Sequence, residues 1–224
     1  MTIRNPILAF TFRRWLLPMA VALGEIFQSH AQGVVYTDRL IFNAALQSGT
    51  TINFESLTPS SPSSTGVSPV VVSGVSFTNN ESRLFITSSS TGIYPIPGTG
   101  QYLWNFDSSY PVGIYLPAGR NAFGADFSGG ITPNAAFNAT LTVNLISGQS
   151  FNYNFTGQQG SWSFFGVSFS QNISSLVFHD GGQFLPGTHE EMLDNVTFGV
   201  AVPEPSGVVI AFVGAVVCLL SRRR

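Results

Sequence analysis

The chain has 224 residues, 44% of them hydrophobic and only 9% charged, with 23 glycines and 20 phenylalanines. This composition suits one domain of ordinary size made of short strands and tight turns, and it excludes a disordered acidic or basic tail. Lysine is absent, and between Val34 and Ala201 three arginines stand against nine acids, a formal −6 that excludes binding to a nucleic-acid backbone by this part.

At the start, Arg4, Arg13 and Arg14 precede the apolar "WLLPMAVALG", and Ser29 and Ala31 then occupy the small positions of an A-x-A-like site. The order of charge, apolar run and small residues predicts a secretory signal peptide over 1–31, removed by signal peptidase. A single cysteine, Cys218, lies near the far end, so the body over 34–200 contains no internal disulfide and must be held by packing.

The body opens on "TDRLIFNAALQSG", which predicts a short helix. Thr37 or Asp38 is its N-cap, Leu40, Ile41, Ala44 and Ala45 form its packed side, and Gly49 lies beyond its end. In "TINFES" that follows, Ile52 and Phe54 alternate with polar residues as in a strand, and "LTPSSPSSTGVSP" is then a solvated loop. Ten runs with period-two alternation follow: "VVVSGVSFTN", "RLFITSS", "QYLWNF", "GIYLPAG", "NAFGADFSG", "TLTVNLISG", "SFNYNFTG", "SFFGVSFS", "ISSLVFHDGG" and "MLDNVTFGV". Leu141, Val143 and Leu145 are expected to face inward together, as are Phe151, Tyr153 and Phe155, and Gly148 turns the hairpin between them. No constant repeat period is present, which argues against a β-helix. The expected fold is all-β: an antiparallel, jelly-roll-type β-sandwich with one short N-terminal helix.

The densest collection of reactive side chains is "HDGGQFLPGTHEEMLDN", with His179, Asp180, His189, Glu190, Glu191 and Asp194. It is not an HExxH zinc site, because no second histidine follows His189 by one helical turn and glycine and proline disfavour the helix. A glycosidase needs two carboxyls across a cleft, for which Glu55, Asp126, Glu190 and Asp194 are nominees, and no G-x-S-x-G nucleophile elbow is present. The expectation is a non-enzyme. Hard oxygen ligands suit calcium, and Asp194 and Asn195, joined by Glu55 and Asp180, are the candidate site if the first and last strands are neighbours. Among Tyr94, Tyr102, Trp104, Tyr110 and Tyr115, the residues Tyr102, Trp104 and Tyr115 are the candidates for stacking on sugar rings, with core packing as the alternative for each.

The chain closes on "VPEPSGVVIAFVGAVVCLLSRRR" over 202–224. Residues 206–221 carry no charge and as a helix would extend roughly 24 Å, a marginal span of a hydrocarbon core of about 30 Å. Arg222, Arg223 and Arg224 favour keeping that end in the cytoplasm, which places the body outside. Pro203 and Pro205 hold Glu204 in an extended stretch.

A signal peptide combined with Pro203-Glu204-Pro205, an apolar helix and the arginine cluster resembles the PEP-CTERM family of exported bacterial proteins. The resemblance implies that the tail is a sorting signal read by exosortase, and that the protein reaches the cell surface or an exopolysaccharide matrix, anchored in the inner membrane by the tail until or unless it is processed. The segment "FFGVSFSQNISSLVFHD…LDNVTFG" also resembles the closing strands of secreted jelly-roll domains in this family, on Leu193, Asp194, Asn195 and Phe198. The function expected is structural or adhesive; a carbohydrate- or calcium-binding module is the alternative, and a cryptic hydrolase the third reading.

Overall fold

The computed structural model describes residues 33–60, 66–80, 83–88, 100–105, 110–129, 136–180 and 191–202, all within the unit Gly33–Val202. The expected signal peptide over 1–31 lies outside the described residues, as does the tail with Pro203, Glu204, Pro205, Arg222, Arg223 and Arg224. Tyr94, His189 and Glu190 lie outside them too. No helix among the described residues is long and apolar enough to cross a membrane.

The described residues of the body form an antiparallel β-sandwich of two sheets with one short helix. In chain order the elements are β1 (Val34–Tyr36), α1 (Arg39–Ala44), β2 (Leu46–Ile52), β3 (Val70–Val72), β4 (Val75–Thr78), β5 (Leu84–Ser88), β6 (Gln101–Asn105), β7 (Val112–Tyr115), β8 (Ala122–Gly129), β9 (Ala136–Leu145), β10 (Ser150–Gln158), β11 (Ser163–Ser168), β12 (Ile173–Asp180) and β13 (Glu191–Ala201). One sheet runs β1-β11-β8-β13-β6-β5, with β2 also paired to β13. The other runs β10-β9-β12-β7-β4-β3.

Period-two alternation builds the core between the sheets. Leu141, Val143 and Leu145 of β9 are buried against Phe123, Phe127 and Phe165 from the opposite sheet, and Phe151, Tyr153 and Phe155 of β10 pack on the same cluster. The β9–β10 hairpin turns at Gly148, closed by a hydrogen bond from Leu145 N to Gln149 O of 2.9 Å.

The helix is shorter than its sequence implies and buries the opposite side. Asp38 is its N-cap, with Oδ1 accepting from Leu40 N at 2.7 Å and Ile41 N at 3.0 Å. Leu40 and Ile41 are 80% and 62% exposed, whereas Phe42 is fully buried. The reason is a socket. Phe42 lies on the outer surface of the larger sheet at Gly124 and Gly166, where any Cβ would come within 3.0 Å of its ring. The next residues then leave the helix, because residues 46–52 gain a ladder with β13 and Gly49 faces Gly199 in it.

Two further differences have local causes. The run "VVVSGVSFTN" is two strands, since Ser73 and Gly74 both adopt positive φ, 50° and 79°, and turn β3 back onto β4. "TINFES" ends its pairing at Ile52, although Ile52 and Phe54 are both buried as expected.

The first and last long strands are neighbours, and β13 serves two successive partners on one side: Val196 faces Ile52 of β2, and Leu193 faces Leu103 of β6. At the handover a bulge separates Asp194 from Thr197, with Asn195 at φ 47°, a conformation asparagine tolerates better than most residues.

Candidate functional site

The outer face of the smaller sheet is set by the same alternation that fills the core. With Leu141 and Val143 pointing in, Asn138, Thr140, Thr142 and Asn144 of β9 point out, and Asn152, Asn154 and Thr156 of β10 lie beside them. Cross-strand pairs form a ladder of hydrogen bonds. Thr140 Oγ1 donates to Asn154 Oδ1 at 2.9 Å, Thr142 Oγ1 to Asn152 Oδ1 at 2.8 Å, and Thr156 Oγ1 to Asn138 Oδ1 at 3.0 Å. Asn144 Nδ2 donates to Ser175 Oγ of β12 at 3.1 Å.

That face continues across the sheet. Ser150, Asn144 and Ser175 lie in one row, and Tyr115, Ser76 and Val71 continue it through β7, β4 and β3. Six strands at about 4.8 Å spacing give the row a length of about 24 Å. Tyr115 is half exposed; a Cβ on Gly113 would meet its Cε2 in ordinary contact at 3.5 Å, but would crowd Thr78 Oγ1 at 2.6 Å. This row and the Asn/Thr ladder contain no Asp, Glu, Lys or Arg.

Tyr102 and Trp104, candidates either for stacking or for core packing, are buried, Trp104 to 2% exposure. Alternation along β6 does place them together, on the outside of the larger sheet. There Phe85 of β5 and Met192 of β13 join them, and Trp162 packs on the group, its ring 5.6 Å from that of Tyr102. Tyr110 contributes its carbonyl, which accepts from Asn79 and Asn105.

The acidic candidates lie on the same outer surface. Asp126 and Asp194 are register partners on β8 and β13. Arg39 from α1 reaches them: Nη2 is 2.7 Å from Asp126 Oδ1, Nη1 donates to Asn195 O at 3.0 Å, and its guanidinium carbon lies 4.5 Å from the Phe164 ring centroid. Asn195 Nδ2 donates to Asp126 Oδ2 at 2.9 Å. Glu55 Oε1 accepts from Gln101 N at 2.7 Å, where β6 begins. Asp180 ends β12 in the other sheet, in register with Ala139. The donors directed at the carboxylates are therefore a guanidinium and an amide, a poor fit to a calcium cage of six to eight oxygens. No group of three or more His, Cys, Asp or Glu among the described residues is placed to hold a metal ion.

Burial pushes the Asp194 carboxyl up from its ordinary 3.8 to about 6; the Asn195 N–H opposes this, Asp126 and Glu55 add to it, and Arg39 opposes it. The folded chain therefore holds this proton more tightly than the unfolded chain, so the contribution to stability is full below the ordinary value, falls as pH rises towards about 6, and is flat above. Asp194→Asn is expected to remove that fall, so that in urea melts the variant gains on the wild type between acid and neutral pH. A pH-independent difference would show that the carboxyl titrates normally.

The sequence gives no warning of a buried polar network at one end of the sandwich. Glu191, 1% exposed, accepts from Asn105 Nδ2 at 2.8 Å, and its other oxygen is 3.6 Å from His179 Nδ1. Asn79 Nδ2 donates to Asn105 Oδ1 at 2.9 Å. Its partners stand 26 and 86 residues apart, beyond any local motif. The Asn/Thr ladder, by contrast, has a readable signal: polar residues at period two in "NATLTVN" and "NYNFT" on either side of a hairpin turn.

No family model matches the chain, and no curated protein matches it. Solved structures do. The K1 cleaved adhesin domain of Lys-gingipain from Porphyromonas gingivalis W83 is 9% identical, with 69% of this chain and 99% of that chain covered and a TM-score of 0.43. The xylan-binding domain CBM22-1 of Xyn10C from Paenibacillus barcinonensis is 12% identical, covering 68% and 93% with a TM-score of 0.39. The module TmCBM61, solved with β-1,4-galactotriose, is 11% identical, covering 56% and 88% with a TM-score of 0.39.

Proposed function

We propose that this chain is an exported bacterial surface protein whose jelly-roll-type sandwich holds neutral polysaccharide on the outer face of the smaller sheet. The observation that carries this reading is the charge-free Asn/Thr/Ser face with half-exposed Tyr115 within it. Neutral sugars offer hydroxyls that exchange hydrogen bonds with amides and hydroxyls, and C–H faces that rest on aromatic rings. Each ladder threonine directs its proton to an asparagine oxygen, which fixes the amide and turns its N–H groups towards an incoming sugar oxygen. Because the ladder is already formed, little side-chain freedom is lost on binding. In this reading the residues Pro203, Glu204 and Pro205 and the terminal arginines deliver the domain through exosortase to an exopolysaccharide layer.

Affinity electrophoresis of the full chain through gels containing neutral polysaccharides tests the binding. Retardation is expected, and Tyr115→Ala is expected to weaken it roughly tenfold, the equivalent of about 1.4 kcal/mol of ring contact. Equal mobility with and without every polysaccharide overturns the reading. Sorting is tested separately: mass spectrometry of protein isolated from its host is expected to find neither Met1 nor Arg224.

A further inference from the structure

We propose that β10 is a self-association edge, and that two copies of this chain join through it across a two-fold axis at Asn154. Among the described residues β10 has a strand neighbour on one side only, β9, and it is nine residues long. Its sequence, "SFNYNFTGQ", contains no charge and no proline, and its pairing with β9 is unbroken by any bulge. Charge, proline and bulges are devices by which edge strands are ordinarily protected from pairing, and β10 carries none of the three.

The ladder fixes which groups face outward. Leu145 N bonds to Gln149 O, and antiparallel pairs alternate between bonded and non-bonded, so Phe151, Tyr153 and Phe155 exchange bonds with β9. Asn152, Asn154 and Thr156 therefore turn their backbone N–H and C=O groups to the open edge. A second β10 laid antiparallel with Asn154 opposite its own copy satisfies these groups and places Asn152 opposite Thr156 of the other copy. The same two residue types pair between β9 and β10 at 2.8 to 3.0 Å, and since the Thr156 hydroxyl already donates to Asn138, it accepts here from Asn152 Nδ2 of the other copy. On the inner side Tyr153 meets Phe155, so aromatic rings continue across the join. The union makes one sheet from two six-stranded sheets and extends the uncharged outer face across both copies.

The pairing is tested with the full chain in non-ionic detergent. Sedimentation is expected to give twice the 24.0 kDa chain mass, and Asn154→Lys, which puts two ammonium groups opposite each other, is expected to give the single-chain mass with an unchanged β circular-dichroism spectrum. Position is tested in a Cys218→Ser background. Asn154→Cys lies on the axis, where bonded partners stand about 5.5 Å apart between Cα atoms, within disulfide reach. Air oxidation is expected to cross-link it into dimers, while Ser150→Cys, on the same strand but opposite Gln158 of the other copy, stays uncross-linked. A wild type that sediments as a single chain at every concentration overturns the proposal. So does a dimer that Asn154→Lys leaves intact, or equal cross-linking at the two positions. None of these outcomes bears on retention by polysaccharide, so the two readings fail independently.

Discussion

Replacing Phe127 by alanine is expected to destabilise the body by about 3–5 kcal/mol, a large part of the ~5–15 kcal/mol that holds a domain together. Phe127 is fully buried on β8, and its ring centre lies 4.7 Å from Phe178 of β12 and 5.0 Å from Phe155 of β10. One ring from the larger sheet thus contacts two from the smaller. Removing it takes apolar contact from three strands at once, and the neighbouring rings are too rigid to close the space. Urea unfolding checks this through a lowered midpoint with an unchanged slope. A loss below about 1 kcal/mol would mean that the sheets collapse onto the gap and that this aromatic cluster is loosely packed.

Glu191→Ala is expected to cost about 1–3 kcal/mol by a different route, the stranding of a buried hydrogen-bond donor. The carboxylate belongs to β13 and accepts from Asn105 of β6, both in the larger sheet. Asn105 in turn joins Asn79, beyond β4, and the Tyr110 carbonyl, ahead of β7, both flanking the smaller sheet, while His179 approaches from β12. The network is therefore a polar clasp across the end of the sandwich. Without Glu191 the fully buried Asn105 amide keeps the Tyr110 carbonyl but loses its second acceptor, and water cannot replace it without opening the sheets. Glu191→Gln keeps an acceptor oxygen for Asn105 and is expected to lose much less. Equal losses for the two variants would mean that the charge, through His179, matters more than the hydrogen bond.

The sequence revealed this molecule wherever a property is local. Alternation at Leu141, Val143 and Leu145 requires only that one strand face be wet and the other dry, and those residues are buried as read. Asp38 caps the helix because capping is decided within three residues. Which side of that helix is dry is not local, since Leu40 and Ile41 are more apolar than their surroundings but Phe42 finds the socket at Gly124 and Gly166, more than 80 residues onward. Tyr102 and Trp104 differ from Tyr115 for a similar reason. All three alternate outward from the sandwich core, yet only the first two lie on a sheet surface that Trp162, arriving on a later connection, helps to cover.

The candidate site divides in the same way. The Asn/Thr ladder follows from two adjacent strands with matching polar periods, and its register follows from one tight turn. The Asp126–Arg39 pair could not be read from the sequence, because it depends on α1 crossing to β8 and on a bulge at Asn195. That pair also changes the chemistry expected of Asp194 and Asn195: the positive charge beside them comes from the chain itself.

The most direct test of polysaccharide binding by the smaller sheet is chemical-shift mapping of the asparagine side-chain amides and Tyr115 during titration with a neutral oligosaccharide that the affinity gels select. The largest shifts are expected on Asn138, Asn152, Asn154 and Tyr115, with Arg39 of α1 and Asn195 of the opposite sheet unmoved. Shifts centred on Arg39 and Asn195, or none at saturating sugar, would contradict it.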